Sequence, residues 1–85
     1  MHKQTGYQSA RPTTGVFIAI LHGTVVLLID GDKISVAHGG WVTRSTVKAI
    51  NGAFKDAGLR GYRANIKRGV LIVTDDNGLE QVIDS

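Results

Sequence analysis

The sequence predicts an α+β fold: one antiparallel β-sheet in the chain order βββαββ, with a single helix packed on one face. Three observations support this prediction. Five short segments have the apolar or alternating pattern of strands, one segment has the three- and four-residue spacing of a helix, and glycine-containing turns separate them. A chain of 85 residues suits one domain, and without cysteine it depends on apolar packing for stability.

The first half of the chain predicts a three-stranded meander. Residues 15–21 and 24–29 are continuous apolar runs, too short for helices and rich in β-branched side chains. Residues 33–38 alternate instead, with Ile34, Val36 and His38 on one face. The glycine-containing segments 22–23 and 30–32 fit the tight turns between these strands.

The helix is predicted to follow Thr43, whose hydroxyl can accept a hydrogen bond from an otherwise unpaired amide, and to end at Gly58. Its apolar residues form one stripe that should face the sheet: Val47, Ile50, Ala53, Phe54 and Ala57. Gly52 lies in mid-helix, where it costs about 1 kcal/mol relative to alanine. A close approach of the sheet backbone would account for it.

A second hairpin is predicted after the helix. Residues 62–67 alternate, residues 68–69 form the turn, and residues 70–73 are another apolar strand. Residues 79–85 fit either a short helical turn or a last strand, and the pattern does not decide between them.

The predicted domain covers residues 13–85, and the polar, aperiodic residues 1–12 are predicted to be a flexible arm. No run of about 18 apolar residues predicts a membrane span. The first residues also lack the apolar stretch of a signal peptide. We therefore expect a cytoplasmic protein that has no membrane partner.

The first, second and fifth predicted strands are apolar on both faces, but one helix covers only one face of a sheet. The other face must be closed by the tails, by curling into a barrel, or by a second copy of the chain. The sequence therefore predicts a possible homodimer.

The net charge of +3 is unevenly distributed. Residues 44–68 hold seven lysines and arginines against Asp56 alone, whereas residues 69–85 hold four carboxylates and no lysine or arginine. Such asymmetry indicates a polyanionic partner, DNA or RNA. The alternative is that these side chains are simply solvated.

The candidate nucleic-acid-binding residues lie on the helix and on the second hairpin. Those of the helix are spaced by four, three and four and form one stripe: Arg44, Lys48, Asn51 and Lys55. Those near and on the hairpin occupy its polar face and turn: Arg60, Arg63, Lys67 and Arg68. A row of cations suits successive phosphates, and a two-stranded ribbon fits the major groove. The structural alternatives are a solvated helix face and an edge strand protected by charge.

Two aromatic residues, Trp41 and Tyr62, could stack on bases, although such residues more often belong to a core.

Other chemistry is weakly indicated. Asp30 with Asp32, and Asp75 with Asp76, have oxygen ligands for a hard cation, but their positions are also those that turns require. His38 precedes two glycines and could act as a general base, yet no nucleophile lies at a meaningful spacing. We therefore expect no metal site, no cofactor and no enzymatic activity.

Residues 39–51 read Gly-Gly-Trp-Val-Thr-Arg-Ser-Thr, followed after three residues by Ile-Asn. This segment resembles a Gly-Gly-Trp-x-Thr-x-Ser/Thr-Thr motif, with Ile/Leu-Asn after three residues, of short phage-encoded proteins of unassigned function. This chain has Val47 where that family often has Lys or Arg. The resemblance implies a viral origin and action inside a bacterial host cell.

Two functions follow from these patterns. The first is a small nucleic-acid-binding accessory protein that uses the helix stripe and the basic hairpin. The alternative is a protein-interaction module that binds or inhibits a host protein. The small number of aromatic residues, five in all, favours the first, because protein interfaces usually rely on aromatic anchors.

Overall fold

The structure is a computed structural model that describes residues 7–84. It confirms the α+β class, but the strands form two antiparallel sheets in place of the predicted single sheet. The sheets have the orders β1-β2-β3-β4 and β5-β6-β7. The elements are β1 Gln8–Ala10, β2 Val16–Leu21, β3 Thr24–Asp30, β4 Lys33–Val36, α1 Arg44–Asp56, β5 Arg63–Lys67, β6 Val70–Thr74 and β7 Glu80–Ile83.

The predicted meander is confirmed as β2, β3 and β4, and it contains a β-bulge that the alternation did not indicate. Ala19 lies opposite Leu27 and Ile20 lies opposite Val25, so Val26 is an extra residue on β3. A bulge bends a strand and redirects side chains. Both Val26 and Leu27 are consequently buried, although they are neighbours in the chain.

The two ends of the described chain are strands. The prediction of a flexible arm over residues 1–12 is wrong for Gln8–Ala10, which pairs with β2 as β1. The remainder of that prediction, residues 1–6, lies outside the described residues. At the other end, the open choice for residues 79–85 resolves to a strand, because Glu80–Ile83 pairs with β6. Residue 85 lies outside the described residues.

The helix begins and ends as predicted. The Thr43 hydroxyl accepts a hydrogen bond from the amide of Thr46 at 3.3 Å. At the other end the Leu59 amide donates to the Phe54 carbonyl, and Gly58 adopts a φ of 83°. This pattern is the Schellman motif, in which glycine accepts the left-handed conformation without strain. No helix within residues 7–84 has the length and apolar character that crossing a membrane requires.

Tyr7 explains the glycine in mid-helix, and the prediction that sheet backbone approaches Gly52 is wrong. A Cβ at Gly52 would lie 3.2 Å from Cε1 of the Tyr7 ring. The Tyr7 hydroxyl donates to the Asp56 carboxylate, and Arg11 donates to the Asp56 carbonyl at 3.3 Å. Burial, together with the hydrogen bond and the charge of Asp56, raises the pKa of Tyr7 to about 12. The N-terminal segment is thus fastened to the end of α1.

One core joins the two sheets and the helix. The helix contributes Ala49, Ile50, Ala53 and Phe54, and both sheets contribute apolar side chains to the same cluster. The second sheet therefore covers part of the apolar surface that a single sheet with one helix would leave exposed to solvent. Among residues 7–84, the large apolar side chains that stay exposed are Val25, Trp41, Val70, Leu79 and Val82.

Candidate nucleic-acid interface

Asn51 joins helix α1 to the edge of strand β5. Its side-chain nitrogen donates to the Ala64 carbonyl at 3.1 Å, and its side-chain oxygen accepts from the Ala64 amide at 2.7 Å. Ala64 is buried in a strand whose outer edge has no strand neighbour. The amide of Asn51 therefore substitutes for the peptide group of an adjacent strand. This residue was predicted as a nucleic-acid ligand, and the structure uses its amide to hold the fold together.

The seam between α1 and β5 is open to solvent and gathers four of the predicted cations. A groove with a volume of about 1090 Å³ is lined by Lys55, Arg60 and Arg63. A smaller groove of about 250 Å³ is lined by Arg44. Asn65 lines both, so they meet along β5. Together these grooves form what is called the basic groove, and its polar lining includes Arg44, Lys55, Arg60, Arg63 and Asn65.

Three predicted cations lie outside the basic groove. Lys48 is exposed one helical turn from Arg44 and lines neither part of the groove. Lys67 forms an ion pair with Glu80 at 2.9 Å. Arg68 occupies the hairpin turn with a φ of 53°, a left-handed conformation that favours asparagine or glycine. His22 adopts the same conformation, with a φ of 52°, in the turn between β2 and β3, so the conformation follows from the type of turn.

The cations of the basic groove lack carboxylate partners. Within residues 7–84 the only ion pair is Lys67–Glu80. Asp56 also lines the groove, but its carboxylate accepts from Tyr7. The first turn of α1 contains Arg44 and no acidic residue, so the positive end of the helix dipole is not balanced within the helix. Like charges gathered along a concave surface concentrate positive potential there.

The two candidate stacking residues differ in burial. Tyr62 is half-buried, its ring lies 5.5 Å from that of Phe54, and it forms part of the wall of the basic groove. Trp41 is 54% exposed and lies 6.3 Å from the His22 ring, in a separate hollow near the start of α1. The core interpretation therefore holds for Tyr62 and is wrong for Trp41.

His38 and Asp75, which the sequence offered as a general base and as a metal ligand, both have structural roles. His38 is buried, and its Nδ1 accepts from the Gly40 amide at 3.0 Å. The ring proton therefore lies on Nε2, which donates to the Ile83 carbonyl at 3.0 Å. Asp75 accepts two hydrogen bonds, from the amides of Asn77 and Leu79, and so shapes its turn. Residues 7–84 hold no group of three or more side chains arranged to bind a metal ion.

One residue of the basic groove was not singled out from the sequence. Asn65 lies in the alternating segment 62–67, from which the sequence predicts only the cations as ligands. Asn65 lines both parts of the basic groove because β5 runs along the seam with α1. Adjacency to the helix seam, which is a tertiary property, is what distinguishes it from other exposed amides.

No protein-family model, curated protein or solved structure matches this chain. The phage-like segment 39–51 therefore stays a resemblance of sequence alone. Several of its residues have local structural roles: Thr43 caps the helix, Thr46 is buried, and Asn51 binds β5.

Proposed function

We propose that this protein is a small nucleic-acid-binding accessory protein whose basic groove binds the phosphate backbone. The observation that supports the proposal is the alignment of Arg44, Lys55, Arg60 and Arg63 along one open seam without carboxylate partners. A solvated charged surface would not need its cations to converge on a groove. The origin implied by the segment 39–51, a phage, belongs to the same proposal.

The groove is suited to backbone recognition because its two walls are fixed relative to each other. The Asn51–Ala64 hydrogen bonds hold α1 against β5, so the spacing of the cations is set before a ligand arrives. Arginine and lysine contacts to phosphate supply affinity without base preference. Arg63 and Asn65 add donor and acceptor groups of the kinds that read base edges.

The first test measures affinity against salt concentration. Four to six phosphate contacts give a log–log slope of roughly −3 to −5 for duplex DNA. Fluorescence anisotropy with a labelled random duplex, a single strand and an RNA hairpin, each at several salt concentrations, measures the slope and separates the three ligand classes. A slope near zero for all three ligands contradicts the proposal.

The second test removes single groove cations. Lys55→Ala and Arg60→Ala should each reduce the slope by about one and weaken all sequences alike. Lys33→Ala is the matched control, because it deletes the same charge from β4, outside the groove. An equal loss of affinity in all three variants would indicate that net charge, and not the groove, determines binding.

The severe test reverses charge in the groove. Lys55→Glu combined with Arg63→Glu should abolish binding, while the exposed positions leave the stability within about 0.5 kcal/mol. On the helix, Arg44→Glu with Lys48→Glu should also abolish binding, and glutamate in the first turn suits the helix dipole. Parental affinity in both folded double variants would show that the groove is a solvated surface.

We propose a protein-interaction function as the second candidate, and Trp41 is the observation that favours it. Tryptophan is a frequent anchor of protein interfaces, and this side chain is 54% exposed. The test is a pull-down from bacterial lysate with and without nuclease. A protein retained after nuclease treatment and lost with Trp41→Ala supports this function, whereas retention that nuclease abolishes supports nucleic-acid binding.

A further inference from the structure

A separate groove lies where the open edges of the two sheets meet. It has a volume of about 680 Å³ and is bordered by β4 on one side and β7 on the other. Val73 and Ile83 give it an apolar floor, and its polar lining includes Asp32, Asp75 and Glu80. We call this groove the acidic groove.

The strand that borders the acidic groove has unpaired backbone groups. β4 is the last strand of its sheet, so one of its two edges has no strand neighbour. The Ala37 amide donates inward to the Val26 carbonyl at 3.1 Å. Because peptide groups alternate in direction along an antiparallel strand, those of Ile34 and Val36 point to the free edge.

The edges of the second sheet are arranged differently. The outer edge of β5 is closed at Ala64 by the Asn51 side chain. The β7 edge is joined to the end of the first sheet by His38, which donates to the Ile83 carbonyl. The described residues provide no such side-chain partner for the peptide groups of Ile34 and Val36. The edge of β4 is therefore open along the acidic groove.

We propose that the acidic groove binds an extended, basic peptide segment of a partner protein, which adds as a strand to the free edge of β4. Main-chain hydrogen bonds to Ile34 and Val36 supply affinity that does not depend on side chains. Alternate side chains of the added strand point in opposite directions. One set packs on the apolar floor and the other reaches the carboxylates.

The charge of the groove selects the chemistry of the partner. Three carboxylates line it, and the described residues contribute no lysine or arginine to that lining. Glu80 is already paired with Lys67, but both side chains are about half exposed, so the pair is weak and open to exchange. A segment with lysine or arginine at alternate positions is complementary to this lining. Nucleic acid is repelled by it, so this site is independent of the basic groove.

The test uses a short capped peptide of alternating valine and lysine as the probe. Hydrogen exchange of the ¹⁵N-labelled protein should slow at Ile34 and Val36 by about tenfold or more when the peptide is saturating. Ser35 is the internal control, because its amide points inward to Leu28 and is protected already. A peptide that is N-methylated at alternate residues keeps its charge but loses strand donors, and it should bind at least about tenfold more weakly.

Variants of the protein test the charge argument. Asp32→Lys with Glu80→Lys should weaken the valine–lysine peptide at least about tenfold and strengthen a valine–glutamate peptide. Asp84→Lys is the matched control outside the groove, and Lys67→Ala separates the loss of the ion pair from the charge reversal. Neither control should change the affinity appreciably.

Three results would overturn the proposal. Equal affinity for the N-methylated peptide, or binding without protection of Ile34 and Val36, would reduce the contact to surface electrostatics. Self-association of the unliganded protein that Asp32→Lys abolishes would assign the groove to a second copy of this chain.

Discussion

Replacing Asn51 with alanine separates a structural role from a ligand role at the position where they compete. The variant removes two hydrogen bonds, of 3.1 and 2.7 Å, and leaves the backbone carbonyl and the backbone amide of Ala64 without a partner. A buried backbone group that loses its partner costs about 1–3 kcal/mol. Since Asn51 itself is only half-buried, water can relieve part of this cost. We therefore expect the free energy of unfolding to fall by about 2–4 kcal/mol.

The assay is urea and thermal denaturation followed by circular dichroism. For a domain of this size each kcal/mol corresponds to roughly 4–8 °C in Tm, so the midpoint should fall by about 8–32 °C. Lys48→Ala, on the same helix and exposed, is the control and should stay within about 0.5 kcal/mol of the parent.

Duplex binding tests the role of Asn51 independently of stability. Below its melting temperature, Asn51→Ala should retain the salt slope for duplex DNA, because the groove cations are unchanged. A loss of stability below about 0.5 kcal/mol, together with a clear loss of affinity, would refute the structural role assigned to Asn51.

Four further outcomes are expected. The parent should be more stable than Tyr7→Phe below pH 10, and this advantage should be lost as the pH rises through about 12. The reason is that the raised pKa of Tyr7 means that folding favours the neutral form of its hydroxyl. Urea midpoints of both proteins across this pH range measure the difference. His38→Ala should lower the free energy of unfolding by about 1–3 kcal/mol, because the Ile83 carbonyl and the Gly40 amide both lose a partner. Arg68→Asn should raise stability by about 0.5–1 kcal/mol by relieving the positive φ; because Arg68 lies outside the basic groove, a loss of duplex affinity in this variant would extend the interface to the hairpin turn. If the homodimer proposal is right, light scattering should show more than the 9.1 kDa monomer at micromolar concentrations, and Val82→Lys on the exposed face should restore a folded monomer.

Val82 is exposed, whereas Phe17 and Val26 are buried, so of the three only Val82 can distinguish a dimer interface from the core. The sequence marks Phe17 and Val26 as members of strands with two apolar faces, and either could belong to an interface. Both are buried, at 4% and 1% exposure, so lysine at either position would unfold the chain. Exposure of Val70 and Val82 instead identifies the side chains that a second copy could cover.

The elements themselves could be predicted because their signals are local. Thr43 and Gly58 bound the helix through hydrogen bonds to residues a few positions away. The turns at 22–23 and 68–69 depend on the φ values of two residues each. Alternating and three-to-four-residue periods report which side of each element is buried. The class of the fold and the concentration of cations on the second half of the chain follow from these signals.

What only the tertiary structure decided is how separate elements meet. Periodicity shows that β4 and β5 are strands but does not say that helix α1, through Asn51, occupies the edge where they could have joined into one sheet. Nor does it show that Gln8–Ala10 finds an open edge on β2. The same contacts convert the predicted row of charges into a groove lined by Arg44, Lys55, Arg60 and Arg63, and they use the amide of Asn51 to hold the two walls of that groove together. Pairing between distant edges depends on packing and on loop geometry, which local patterns of side chains do not encode.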